Sequence, residues 1–271
     1  MDVKLFQRIF RLILILFIIM FSIGCGGGGG GAKQESVSRT IDYSVLYFTV
    51  DSITVVVAYE PDVEPYTGYS PDFPDFQYWS VLDLNLQALF HGRILEPKIF
   101  VPKDLSEMEK IQQSDQESWN SDQIAELANK VWDISETQKS AEYYVLFLNG
   151  YFNDGQTLQK NTIGVSFGQH PVIAIFKDVI TGSSLSLFNS SIYEQETLVH
   201  EIGHCMGLVN LGIPMISDHE DPEHKNHCTS NNCVMGWQYD WGDVSSFSEQ
   251  FVNTGSVMMF CDKCLADTSG Y

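Results

Sequence analysis

The chain has 271 residues, 35 of them acidic and 15 basic, for a formal net charge of −20. A surface this acidic argues against nucleic acid as a partner, because phosphates are held by basic faces. An apolar share of 44% and the lack of an internal repeat point to one sizeable globular core, and away from a disordered or repeat chain.

Residues 1–25 carry Lys4, Arg8 and Arg11, then an apolar run from Leu12 to Ile23, then Gly24-Cys25. The run is too short for a comfortable membrane span and suits the core of a signal peptide. Gly24-Cys25 resembles a bacterial lipoprotein cleavage site, with Ser22 where such sites usually carry Leu. That resemblance implies an acylated Cys25, a membrane contact through a lipid anchor and an extracytoplasmic location. The alternatives are ordinary secretion and an uncleaved anchor. Removal of this leader would take the net charge to about −22. Residues 26–40 begin with six glycines and lack apolar periodicity, which predicts a flexible tether. Residues 41–271 then form the folded domain.

Within it, Val45–Val50 and Ile53–Tyr59 are rich in β-branched and aromatic residues, which predicts two strands bounded by Glu60-Pro61. Tyr66–Pro74 reads as loop. Tyr78–Phe90 places Trp79, Leu82, Leu86 and Leu89 at helical spacing. Ser121–Asp133 does the same with Ile124, Leu127, Ala128, Val131 and Trp132, with Ser121 as its expected cap. Tyr143–Leu148, ending at Asn149-Gly150, and Val172–Phe176 read as buried strands, with Thr162–Phe167 as a further strand between them.

His200-Glu201-Ile202-Gly203-His204 matches H-E-x-x-H. Residues four apart share a helix face, so both imidazoles can address one ion while Glu201 reaches a water beside it. A capping box of Ser191 and Glu194, the helical spacing of Leu198, Ile202 and Met206, and a left-handed stop at Gly207 predict the helix. The competing reading is a surface helix with incidental histidines.

Gly207 stands at the spacing H-E-x-x-H-x-x-G of the metzincin peptidases. The usual third-ligand position holds Asn210, and the chain runs on to His227-Cys228, then Cys233, Met235 and the pair Cys261 and Cys264. This H-C-x4-C-x-M pattern with a later C-x-x-C resembles the archaemetzincins. It is interrupted by about seventeen inserted residues after Leu208 and by a longer segment between Met235 and Cys261. The resemblance covers roughly the last eighty residues.

It implies an α/β (α+β), zincin-like fold: a twisted mixed sheet, an active-site helix and a small C-terminal lobe. The edge of that sheet, expected within Thr162–Phe176, would bind extended substrate. It also implies a zinc-dependent metallopeptidase acting on a peptide or protein substrate, with Glu201 as general base. His200, His204 and His227 would hold the catalytic zinc, with His219 as the alternative third ligand and His224 and Asn210 behind it. Met235 would form the Met-turn, and Tyr239 is weighed as an oxyanion donor against a packing role. Cys228, Cys233, Cys261 and Cys264 would hold a second, structural zinc; outside the cytosol, disulfides are the competing outcome. Cys205 reads as a small buried filler. Two other functions stay open: a non-catalytic surface binding module and a zinc-stabilised structural lipoprotein. Substrate preference and oligomeric state are not legible.

Overall fold

The computed structural model describes residues 40–132, 139–182, 186–238 and 245–271. The leader, Cys25, the tether before residue 40 and Tyr239 lie outside the described residues. Among the described residues, no helix is long and apolar enough to cross a membrane.

Three parallel strands form the centre: β1 (Ser52–Tyr59), β5 (Ser140–Leu148) and β9 (His170–Phe176). The short β2 (Lys98–Phe100) and β3 (Glu109–Lys110) both pair parallel with β1. At the opposite edge β8 (Gly164–Phe167) returns antiparallel to β9, so the main path runs β2-β1-β5-β9-β8. Within Thr162–Phe176, only β8 is therefore an edge, because β9 is paired on both sides. A second sheet joins β4 (Ser118–Trp119), β6 (Tyr151–Asn153) and β7 (Leu158–Gln159).

Strand alternation sorts the core into two layers. Tyr143, Val145 and Phe147 face one way with Val55, Val57, Ile173 and Ile175. That layer is closed by α1 (Tyr43–Phe48), α2 (Ser80–Phe90) and α5 (Leu187–Cys205). Tyr144, Leu146 and Leu148 face the other way with Val172, Ala174 and Phe176, covered by Ile124, Ala125 and Ala128 of α3 (Ser121–Val131). A sheet buried on both faces explains why its strands read as near-continuous apolar runs. The architecture is thus mixed α/β, with a twisted sheet of mixed direction. The last helices are α4 (Lys177–Thr181), α6 (Ser245–Thr254) and α7 (Asp262–Gly270). Met259, Phe260 and Cys264 carry the C-terminal segment into the first core layer.

Three local expectations are corrected. Val45–Val50 is not a strand: α1 spans Tyr43–Phe48, because Tyr43, Leu46 and Tyr47 bury one helical face. The Asp42 carboxylate caps it, accepting from the amides of Ser44 and Val45. Ser121 does not cap α3; Asn120 accepts from the Gln123 amide at 2.9 Å, and Gln123 answers in a capping box. Ser191 and Glu194 do not start α5, which begins at Leu187 behind Ser186, whose hydroxyl accepts from the Asn189 amide. Both residues are buried inside the helix.

Candidate metal centres

The helix α5 is 19 residues long and buried over most of its length, although its middle is polar. Burying a polar group costs free energy that a partner offsets, and Glu194 has such partners. Lys177, the first residue of α4, pairs with Glu194 at side-chain exposures of 4% and 0%. The other Glu194 oxygen accepts from the Tyr66 amide at 2.8 Å, and the ammonium lies 3.4 Å from the Tyr66 ring centroid. Burial pulls the Lys177 pKa down and pushes that of Glu194 up, while each opposes the other's shift by its charge. The pair fastens the loop at Tyr66 to the helix.

At the other end Gly207 takes φ +80. Its amide donates to His204 and that of Leu208 donates to Gly203, a Schellman closure. A Cβ here would also meet the Tyr43 ring at 2.7 Å, so α1 needs this glycine as much as the turn does.

The turn sends the chain round to the helix again. His200, His204 and His227 bring one ring nitrogen each to within 4.8 Å of the others. The Nε2 atoms of His200 and His204 are 3.0 Å apart. His200 donates from Nδ1 to the Val234 carbonyl at 2.6 Å, and His227 Nδ1 lies 2.9 Å from the Lys225 carbonyl. Both rings, neutral, then turn a lone pair at Nε2 towards the shared centre, an arrangement that a cation stabilises and that lone pairs alone oppose. The donor set fits zinc.

Two close approaches surround the centre. Met235, fully buried, lies against Gly203 between the two helix histidines, where a Cβ would overlap its sulfur. On the other flank, a Cβ at Gly164 of β8 would lie 2.5 Å from Thr197 Cγ2 and 3.0 Å from Glu201 Cγ. The edge strand therefore runs directly against the helix face that carries Glu201, itself 6% exposed.

Cys228, Cys233, Cys261 and Cys264 also converge, with all four sulfurs within 4.8 Å of one another. Cys228 and Cys261 are 3.8 Å apart and Cys233 and Cys264 3.5 Å, and none of the five described cysteines is in a disulfide. Four sulfurs about 2.3 Å from a common centre would be about 3.8 Å apart, which fits a tetrahedral ion. The Ser230 amide donates to Cys228 and the Cys261 amide to Cys233, each at 3.4 Å. Hydrogen bonds within the cluster, first from Cys233, hold the Cys228 thiol down to about 6, and the bond from Cys228 to Cys261 pushes Cys261 down as well.

Not every weighed residue joins a cluster. His219 does not reach the three-histidine centre; it is buried against Asp267 and Cys228. His224 stacks on Trp237, with ring centroids 4.1 Å apart and planes 10° off parallel. Asn210 is exposed and left-handed at φ +64, with its side chain bonded to Glu220. Cys205 is buried, its sulfur 3.4 Å from the His170 carbonyl, and burial raises its pKa, with the Glu201 charge adding to the shift.

No protein-family model matches the chain, and no curated protein matches it. Solved structures do resemble it. A zinc-dependent peptidase from Methanocorpusculum labreanum is 13% identical, with 79% of this chain and 99% of that one covered at a TM-score of 0.45. An archaemetzincin from Methanopyrus kandleri is 11% identical, with 81% and 95% covered at 0.43. The archaemetzincin from Archaeoglobus fulgidus, in complex with malonate, is 15% identical, with 79% and 99% covered at 0.37.

Several contributors to the two centres have no motif. Val234 acts through its carbonyl, which side-chain identity does not report. Gly164 has only its lack of a side chain to show for its approach to Glu201. Asp267 follows Cys264 by three residues on α7, a spacing that puts both on one helix side.

Proposed function

We propose that this chain is a zinc-dependent metallopeptidase, with His200, His204 and His227 holding the catalytic zinc and Glu201 as general base. The observation that carries the reading is the convergence of three imidazoles from two distant segments beside a buried carboxylate on the same helix. A zinc ion held by these three imidazoles would supply a Lewis acid that makes water nucleophilic near neutral pH.

The chain's own groups do the rest. Hydrogen bonds to Val234 and Lys225 fix the tautomers and ring planes of His200 and His227. Glu201 takes a proton from the attacking water and returns it to the leaving amine. The main-chain groups of β8 pair with an extended peptide and lay its scissile bond beside Glu201. Met235 packs beneath the helix and supports His200 and His204 from below. Cys228, Cys233, Cys261 and Cys264 hold a second, structural zinc. In this reading Cys25 carries a lipid, and the domain works on peptides or proteins outside the cytoplasm.

The test is Glu201→Gln, which keeps the shape of the side chain and removes the base. Peptide hydrolysis should fall by about 100- to 10,000-fold with zinc content unchanged. Hydrolysis at the wild-type rate in that variant would rule the mechanism out.

A further inference from the structure

The inserted loop brings a third polar group into the C-terminal core, outside both clusters. His219 and Asp267 meet at 2.7 Å between Nε2 and Oδ2, with both side chains 0% exposed. The other ring nitrogen, Nδ1, lies 3.3 Å from the Cys228 sulfur. Asp267 is held in turn, its Oδ1 accepting from the Ile216 amide at 2.7 Å. The main chain reinforces the contact: the Thr229 amide donates to the His219 carbonyl and the Asp221 amide to that of His227. The insertion thus lies alongside residues 227–229, which carry one member of each metal cluster.

A buried imidazole between a carboxylate and a sulfur is a poor device for stability alone. Desolvating such groups offsets most of what their attraction returns, and apolar side chains of equal volume would fill the space as well. What an apolar pair lacks is a directed N–H. Asp267 and a metal-bound thiolate only accept, so a ring lying between them carries a proton on each nitrogen, an imidazolium whose bond to Asp267 fixes the ring and aims the Nδ1 proton at Cys228.

We propose that His219 and Asp267 are positioning residues for the four-cysteine centre. The ring, held by Asp267, donates to the Cys228 sulfur and keeps Cys228, and through the next peptide bond His227, in place for metal. The proposal rests on the reading that the four cysteines hold a metal ion. It gives the insertion after Leu208 a specific role, that of supplying the orienting group.

The full chain loaded with cobalt(II) provides the test, since thiolate-bound cobalt shows a sulfur-to-metal charge-transfer band. His219→Ala, Asp267→Asn and His219→Phe, which fills the volume without a donor, should shift that band. They should also release cobalt to a chelator about 10- to 100-fold faster than wild type. His219→Asn, which keeps a short N–H donor, should recover part of the loss. If His219→Phe matches wild type in band and release, the role is packing and the proposal fails while the four-cysteine site stands. If wild type shows no charge-transfer band, the cysteines hold no metal and both readings fall. Should His219→Ala not fold, Asp267→Asn, nearly isosteric, decides on the same two readouts.

Discussion

Lys177 shows how much a single residue carries at this site. Its ammonium is buried between Glu194 and the Tyr66 ring, and Glu194 precedes His200 by six residues on the same helix. Removing one partner of a buried pair leaves an uncompensated charge, so Lys177→Met should destabilise the fold by about 3–5 kcal/mol. Lys177→Met with Glu194→Leu should recover most of that, measured by denaturant unfolding, because the cost lies in the orphaned carboxylate. Equal loss in the single and double variants would mean that the pair acts through shape and not charge. Gly203 makes a complementary case. Any Cβ there would enter the Met235 sulfur, so even Gly203→Ala should move Met235 and lower zinc retention, read by metal analysis after dialysis.

Among the elements, α1 is the one the sequence hid. Val45, Leu46, Tyr47 and Phe48 are residues that strands favour, and their propensity masks the i, i+3, i+4 spacing of Tyr43, Leu46 and Tyr47. Tertiary packing decides: Tyr43 lies over Gly207 and Gly212, and Tyr47 donates to the Met206 carbonyl at 2.9 Å. The Ser44 hydroxyl, followed by the Val45 amide, holds the Asp42 carboxyl below its ordinary value of 3.8. A depressed carboxylate pKa contributes stability that is present above the unfolded value and lost as pH falls through the folded one. Asp42→Ala should therefore lower the melting temperature near neutrality and converge on wild type in acid, below about pH 3.8. The parallel strands were legible because burial on both faces makes their sequences continuously apolar. The true start of α5 was not, because Ser191 and Glu194 have the spacing of a capping box while serving other buried partners. The convergence of the helix histidines was legible because His200 and His204, four residues apart, share one face of a helix. The burial of His219 against Asp267 was not, because the two lie 48 positions apart.

Across the whole molecule the two centres are joined by very short links. His227 and Cys228 are consecutive, and the carbonyl that orients His200 belongs to Val234, the residue after Cys233. The Val234 amide donates in turn to Met259, and the Cys228 amide to the Met235 carbonyl. Stripping metal from the cysteines should therefore loosen the segment that supplies His227. Hydrogen exchange should speed up first in residues 227–236 and 257–264, with the parallel strands still protected. Uniform loss of protection would contradict this.

All of these links serve the proposal that three histidines and Glu201 form a working hydrolytic centre beside an open strand edge. The most direct measurement is cleavage of a diverse peptide library by the purified zinc-loaded protein, before and after chelation. New peptide termini should appear with the loaded protein, be absent after chelation, and return when zinc is restored. A library left intact by the zinc-loaded protein would contradict it and favour a surface module that binds without cutting.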